Sequence, residues 1–239
     1  MKNILEVKDA TKKFGGLIAN EGITFNVAEG EIVGIVGPNG AGKTTLFNSL
    51  SCIHKLTRGS IHFNGLDITK KTTHEVCMLG IGRTFQIPQS IDELTAEENV
   101  LVGALSHTND VRAARSFATT VLKKCEMAHL ADLPAGKLNV AQKKRLEIAR
   151  ALSTKPTLLL LDETMAGLTA TERAKSLDLI RKINSEGVTI LTIEHNMDVV
   201  MKVSQRVVVL INGKVLTIGT PDEVCCHQEV INAYLGVKK

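Results

Sequence analysis

The stretch Gly37-Pro38-Asn39-Gly40-Ala41-Gly42-Lys43-Thr44-Thr45 decides how the rest of the chain is read. It fits the pattern G-x-x-x-x-G-K-[ST] and stands where that pattern has physical meaning. Ahead of it, Ile32 to Val36 is apolar with only Gly34 interrupting, the composition of a strand buried on both faces. Behind it, Lys43 to Leu50 has helical spacing, with Leu46, Phe47 and Leu50 inward. Glycines let the backbone curl until successive N–H groups face one anion, and the helix N-terminus adds its dipole there. Lys43 is then placed to neutralise β- and γ-phosphate charge, and the Thr44 hydroxyl to hold Mg²⁺. The motif alone leaves GTPases, nucleotide kinases and ATPases open. A guanine-reading N-K-x-D is absent from the sequence.

Outward from the loop, Ile4 to Val7 and Ile23 to Val27 alternate as strands, with Gly15-Gly16 as a turn signal between them. Ile61 to Phe63 and Leu66 to Ile68 flank Asn64-Gly65, and Arg206 to Ile211 and Lys214 to Ile218 flank Asn212-Gly213; both read as hairpins. Gly82 to Phe85 reads as a short strand. From about Thr95 to Ala151 the pattern is mostly helical, with Arg112, Arg115, Lys123 and Lys124 on an amphipathic surface. Thr169-x-x-Glu172 predicts a capping box and Gly187 the end of that helix. Strand Val188 to Ile193 and a helix to about Val203 follow. The expected fold is α/β: a parallel-sheet core, an added antiparallel layer and a helical insertion at about 88–153, all one domain over residues 1–239.

Leu158-Leu159-Leu160-Leu161-Asp162-Glu163 places two acids at the C-terminal end of a buried strand, the edge at which parallel sheets bind ligands. There Asp162 can reach Mg²⁺ and Glu163 can polarise an attacking water. A bland alternative makes Glu163 only a helix-entry acid. His195 follows a strand toward the same edge and Gln86 follows another; each is weak by itself.

Bulk properties exclude several classes. With 44% hydrophobic and 23% charged residues and a net charge of +4, the chain is ordinary globular protein without a basic arm for nucleic acid. Its five cysteines show no C-x-x-C pair and fit a reducing compartment. No aliphatic run approaches the length of a membrane span. The expectation is a soluble, cytoplasmic protein that reaches a membrane only by gripping a partner.

GPNGAGKTT, RTFQ, LNVAQKKRLEIARAL, LLLLDETMAGL and TIEHN, in this order and spacing, resemble an ATP-binding cassette (ABC) ATPase over about Leu5 to Gly236. The resemblance implies a P-loop, RecA-like core with antiparallel β and helical subdomains. It implies that Gly37, Pro38, Asn39, Gly40, Ala41, Gly42, Lys43, Thr44 and Thr45 bind ATP and that Phe14 stacks on adenine. Thr44, Gln86 and Asp162 are implied Mg²⁺ ligands, Glu163 the catalytic base and His195 a γ-phosphate contact. Gln86 is further implied to couple to the transport partner, and Ala166 to Thr169 to cross the dimer interface. Leu138, Asn139, Val140, Ala141 and Gln142 stand as the signature motif acting on a partner's ATP, so a second ABC ATPase subunit, identical or different, is implied.

RTFQIPQ, DETMAGL, TIEHNMDVVMKVSQRV and GTPDEV…VINAYLG look most like ATPase subunits of branched-chain amino acid (Liv-type) importers. Such a system adds membrane permeases and an extracytoplasmic binding protein, and places the chain peripherally on the inner face of the membrane. Related urea, amide and lipopolysaccharide systems share much of this wording. A non-transport ABC ATPase of DNA repair or ribosomes would carry a coiled-coil insertion or a second cassette, and a regulatory module with low hydrolysis is a further alternative. Two departures stand out. The usual L-S-G-G-Q is Leu138-Asn139-Val140-Ala141-Gln142, whose side chains narrow the approach to a partner's γ-phosphate, and Thr164 replaces the Pro that commonly follows the catalytic Glu. The first leaves open whether two composite sites turn over equally.

Overall fold

In the computed structural model, residues 2–194 and 197–235 are described. β1 (Asn3–Phe14) and β2 (Leu17–Ala28) pair antiparallel across Gly15-Gly16. Each runs 12 residues, past the short alternating stretches legible in the sequence. The cause is local: register shifts between Val7 and Ala10 and around Lys12 break the period of two without ending the pairing, and Asp9 takes a φ of 51°. β3 (Ile32–Val36) is buried at every residue. α1 (Lys43–Leu50) turns Leu46, Phe47 and Leu50 inward, as its spacing predicts. β4 (Arg58–Phe63) and β5 (Leu66–Asp67) complete a four-stranded antiparallel sheet of order β2-β1-β4-β5. Asn64 and Gly65 close that hairpin with φ of 51° and 79°, the double positive turn that matches strand twist.

After α2 (Thr73–Met78), β6 (Ile81–Arg83) stops two residues short of the expected Phe85. Thr84 still donates to the Leu160 carbonyl at 2.9 Å, but the Phe85 N–H is taken by the Glu147 carboxylate at 3.2 Å, which ends the ladder. α3 (Ala96–Ala104), α4 (Val111–Lys124) and α5 (Val140–Ser153) follow. The amphipathic surface predicted for α4 is present: Arg112, Arg115 and Lys123 are exposed while Ala114, Ala118, Val121 and Leu122 are buried. β7 (Leu158–Asp162), α6 (Ala170–Ser185), β8 (Thr189–Ile193), α7 (Met197–Val203), β9 (Arg206–Ile211), β10 (Lys214–Gly219), α8 (Pro221–Cys226) and α9 (Gln228–Leu235) complete the order. α6 carries the predicted Thr169/Glu172 capping box, and Gly187, at φ 94°, follows its end.

The second sheet has the order β10-β9-β3-β8-β7-β6, parallel throughout except for β10 at one edge. Period-two alternation splits its apolar strands between two cores. Leu158 and Leu160 join α1 and the antiparallel sheet, whereas Leu159 and Leu161 join α3, α4, α5 and α6. The helical segment therefore sits on one face of the parallel sheet and the antiparallel layer on the other, consistent with the expected α/β architecture.

Gly34 shows how closely α7 approaches β3. A Cβ there would lie 2.3 Å from Val200 Cγ1 and 2.8 Å from Ser204 Oγ. Gly34→Ala is expected to lower unfolding free energy by about 1–3 kcal/mol through overpacking. Val200→Ala in the same chain should recover part of that loss in urea denaturation, whereas strictly additive losses would show that the helix does not bear on this strand.

Candidate nucleotide site

The phosphate loop joins the buried end of β3 to α1. Gly42, the residue before α1, has φ 92°, and a Cβ there would lie 2.4 Å from the Ala19 carbonyl oxygen. Only glycine fits that backbone beside β2. A cleft of about 570 Å³ opens over the loop. It is lined by residues 39–45, Leu17 to Ala19 of β2, the Asn212-Gly213 turn, Gln86 and Glu163. Lys43 is 5% exposed and donates to the carbonyls of Gly37 at 2.7 Å and Pro38 at 3.0 Å. Burial pulls its pKa down, and the carboxylates of Glu163 and Asp162 pull it back up. Phe14 lies at the end of β1 outside the lining set, half exposed, with the Lys12 ammonium 4.7 Å from its ring centroid and His54 edge-on at 5.2 Å.

β7 delivers the acid pair. Asp162 is 1% exposed and accepts from the buried Arg83 Nη2 at 3.2 Å. Arg83 also donates to Ser51 Oγ at 2.7 Å, which ties β6 to the end of α1. Glu163 has a φ of 50°, a left-handed conformation that costs a residue with a Cβ on the order of 1–3 kcal/mol. Three elements hold it there. Its N–H donates to the Ile193 carbonyl at 2.9 Å, its carbonyl accepts from Lys144 Nζ at 2.8 Å, and its carboxylate accepts from Gln86 Nε2 at 2.8 Å. Gln86 and Glu163, far apart in sequence, thus meet at the lip of the cleft. His195 lies outside the described residues.

Three charged side chains that no motif reading singled out complete the surroundings. Glu147 on α5 accepts the N–H groups of Phe85 at 3.2 Å and Gln89 at 3.0 Å, either side of Gln86, and burial raises its pKa. Lys144, also on α5, reaches the loop after β7. Glu194, at the end of β8, accepts the Met165 N–H at 3.1 Å and stands 3.5 Å from the Thr164 hydroxyl. Thr164, where Pro was expected, is therefore buried and engaged. Glu147 carried one sequence signal, charge between Leu146 and Ile148, whereas Lys144 lies in a basic stretch that gives none.

Leu138 is buried, and Asn139 caps α5 in a reciprocal box with Gln142. Val140 is 62% exposed, whereas Ala141 packs against the helical core. None of these residues lines the cleft; Asn139, Ala141 and Gln142 line a separate groove with Leu168 and Glu172.

A glycine loop between a parallel strand and a helix, with an acid pair at the same sheet edge and a glutamine bonded to the second acid, defines a P-loop nucleotide-hydrolysing module. The model of the ABC transporter family matches residues 20–166, and that of the branched-chain amino acid ATP-binding cassette transporter matches residues 214–239. The high-affinity branched-chain amino acid transport ATP-binding protein BraF of Pseudomonas aeruginosa is 40% identical, over 98% of both chains. A probable branched-chain amino acid transport ATP-binding protein, LivG, of Archaeoglobus fulgidus is 34% identical over 98% of this chain and 96% of its own. The ADP conformation of an ATP-binding cassette of an ABC transporter superposes with a TM-score of 0.90 at 31% identity, covering 99% of this chain and 100% of that one. A dimeric post-hydrolysis cassette bound to ADP and Pi gives a TM-score of 0.83 at 28% identity, covering 91% and 98%. This chain belongs to the ABC transporter family, as an ATP-binding and ATP-hydrolysing cassette.

Burial pushes the Glu194 carboxyl up to about 7, against the opposing pull of the Met165 N–H and Lys144. Below its ordinary value of 4.5 the folded and unfolded chains both hold the proton. As pH rises toward 7 only the folded chain keeps it, so stability falls through that window and levels off above it. Glu194→Gln removes this loss while keeping an acceptor for Met165. Its unfolding free energy relative to the parent should improve by up to about 3 kcal/mol between pH 5 and pH 8. A difference that stays flat with pH would refute the buried titration.

Proposed function

We propose that this chain powers import of branched-chain amino acids by hydrolysing MgATP in a composite site shared with a second cassette. The observation that carries the site reading is the Gln86–Glu163 hydrogen bond at the lip of the phosphate-loop cleft. The amides of Gly37 to Thr45 and the α1 dipole take the phosphates, and Lys43 exchanges its two carbonyl partners for phosphate oxygens. Phe14 offers an exposed ring face to adenine. The Thr44 hydroxyl, the Asp162 carboxylate and the Gln86 side-chain carbonyl are hard oxygen donors of the kind that hold Mg²⁺ together with phosphates. Among the described residues no cluster of His, Cys, Asp or Glu would hold a metal without them. Mg²⁺ held there would offset phosphate charge. Glu163 accepts the proton of the attacking water, Gln86 positions its carboxylate, and His195 contacts the γ-phosphate. Arg83 orients Asp162 through the bond to its carboxylate.

The whole chain acts as one cassette domain, the helices within about 88–153 forming its inserted subdomain. Leu138 to Gln142 serve the partner's nucleotide, and Ala166 to Thr169 cross to it; the position of the signature away from this chain's own cleft supports that division. Among the described residues no helix is long and apolar enough to cross a membrane, so a permease must supply the membrane path. Phe85, 36% exposed, lines a groove beside α2 and α5, and a permease segment docked there would report to Glu163 through the adjacent Gln86. Docked so, the chain would lie on the inner membrane face, with an extracytoplasmic binding protein acting through the permease. The relatives' transported amino acids support the substrate assignment.

In purified transporter, Glu163→Gln should lower kcat by about 10²–10⁴-fold while ATP affinity holds within about 3-fold. Lys43→Ala should lose nucleotide binding itself. Turnover should rise with binding protein loaded with leucine, isoleucine or valine. Stimulation by urea or amides instead would redirect the substrate, and full turnover in Glu163→Gln would remove the base assignment. In a mixed dimer, equal loss from Glu163→Gln in either cassette would exclude unequal sites.

A further inference from the structure

The loop after β7 is held through its backbone between two buried ionisable side chains from different elements. Lys144, 8% exposed on α5, donates to the carbonyl oxygens of Glu163 at 2.8 Å and Ala166 at 2.7 Å. From the other side Glu194, 3% exposed at the end of β8, takes the Met165 N–H at 3.1 Å. A buried ammonium needs its donors satisfied, and here two main-chain oxygens receive bonds from it. The arrangement answers a specific need. Glu163 sits in a left-handed conformation that a residue with a Cβ keeps only when its surroundings over-determine it.

Lys144 also stands at a junction. Glu147, one turn further along the same face of α5, accepts the Phe85 and Gln89 amides that bracket Gln86. Gln86 in turn donates to the Glu163 carboxylate. The helix that begins at the signature residues Val140 and Ala141 is thereby bonded to Glu163 twice, once through the backbone and once by way of Gln86.

We infer that Lys144 is a positioning residue for ATP hydrolysis: through the Glu163 and Ala166 carbonyls it fixes the backbone that aims the Glu163 carboxylate, and it ties that aim to the signature end of α5. The inference rests on the reading of Glu163 as the base.

The test is steady-state and single-turnover hydrolysis in the assembled transporter. Lys144→Met should lower kcat roughly 10- to 100-fold, the scale of a small misplacement of a catalytic group, with KM for ATP changed less than about 3-fold. Lys144→Arg keeps buried donors and should recover most of kcat. In a Glu163→Gln background, Lys144→Met should add less than about 3-fold, because the lysine acts through that carboxylate. Unchanged kcat in Lys144→Met, or a full additive loss in the double variant, would overturn the inference. So would a rise in KM as large as the fall in kcat. If Lys144→Met fails to fold, Lys144→Gln and Lys144→Arg carry the test, with kcat expected to rank parent, Arg, Gln at constant ATP affinity. Equal kcat across that series would be fatal. An active Glu163→Gln would instead remove the base assignment, whereas an inactive Glu163→Gln beside a fully active Lys144→Met removes only the role of Lys144.

Discussion

Ile193 is the register partner of Ile35 on one side and of Asp162 on the other. Because β3, β8 and β7 run parallel in that register, the residues that follow them must emerge at one sheet edge. The phosphate loop follows β3 and Glu163 follows β7, so one level of the ladder brings the anion cradle and the acid pair together. The strands can hold that register because both faces are covered by apolar cores, and a slip of one residue would exchange Leu158 and Leu160 with Leu159 and Leu161 between those cores. The chemistry at the edge therefore inherits its alignment from hydrophobic packing below it.

Alignment of strands does not by itself aim a side chain on the loop beyond. Here the protein uses buried charge. Arg83 meets Asp162, Lys144 meets two carbonyls, and Glu147 and Glu194 each take backbone amides. Each group would be costly to bury alone; Lys144, Glu147 and Glu194 are satisfied by loop backbone, and Arg83 by the last residue of β7. The loops near Gln86 and Glu163 are consequently anchored from α5, while α1 and the antiparallel layer frame the cleft. Any displacement of α5 is felt at both loops.

The parts legible in the sequence were those with local signals. The glycine loop, the all-apolar β3, the Asn-Gly hairpins and the Thr169/Glu172 cap each depend on neighbours a few residues away. The lengths of β1 and β2 escaped because bulges interrupt the alternation that marks a strand. The roles of Lys144, Glu147, Glu194 and Arg83 escaped for a different reason. Their partners lie 19, 62, 29 and 79 residues off, and no spacing rule reaches that far. Lys144 in particular sits between Lys143 and Arg145, where composition alone suggests a solvated face.

The signature departure also looks different once its backbone is visible. Val140 and Ala141 are the first residues of α5 and neither has positive φ, so the helix start does not require glycine at either position. The concern that side chains narrow the approach to a partner's γ-phosphate then falls unequally. Ala141 turns partly against the helical core. Val140 projects outward. Asn139 spends its side-chain oxygen on the Gln142 N–H, which leaves its amide N–H₂ as the donor where serine offers a hydroxyl. In the proposed composite site the difference from L-S-G-G-Q reduces to one exposed isopropyl group beside one substituted donor, a change of shape more than of backbone chemistry.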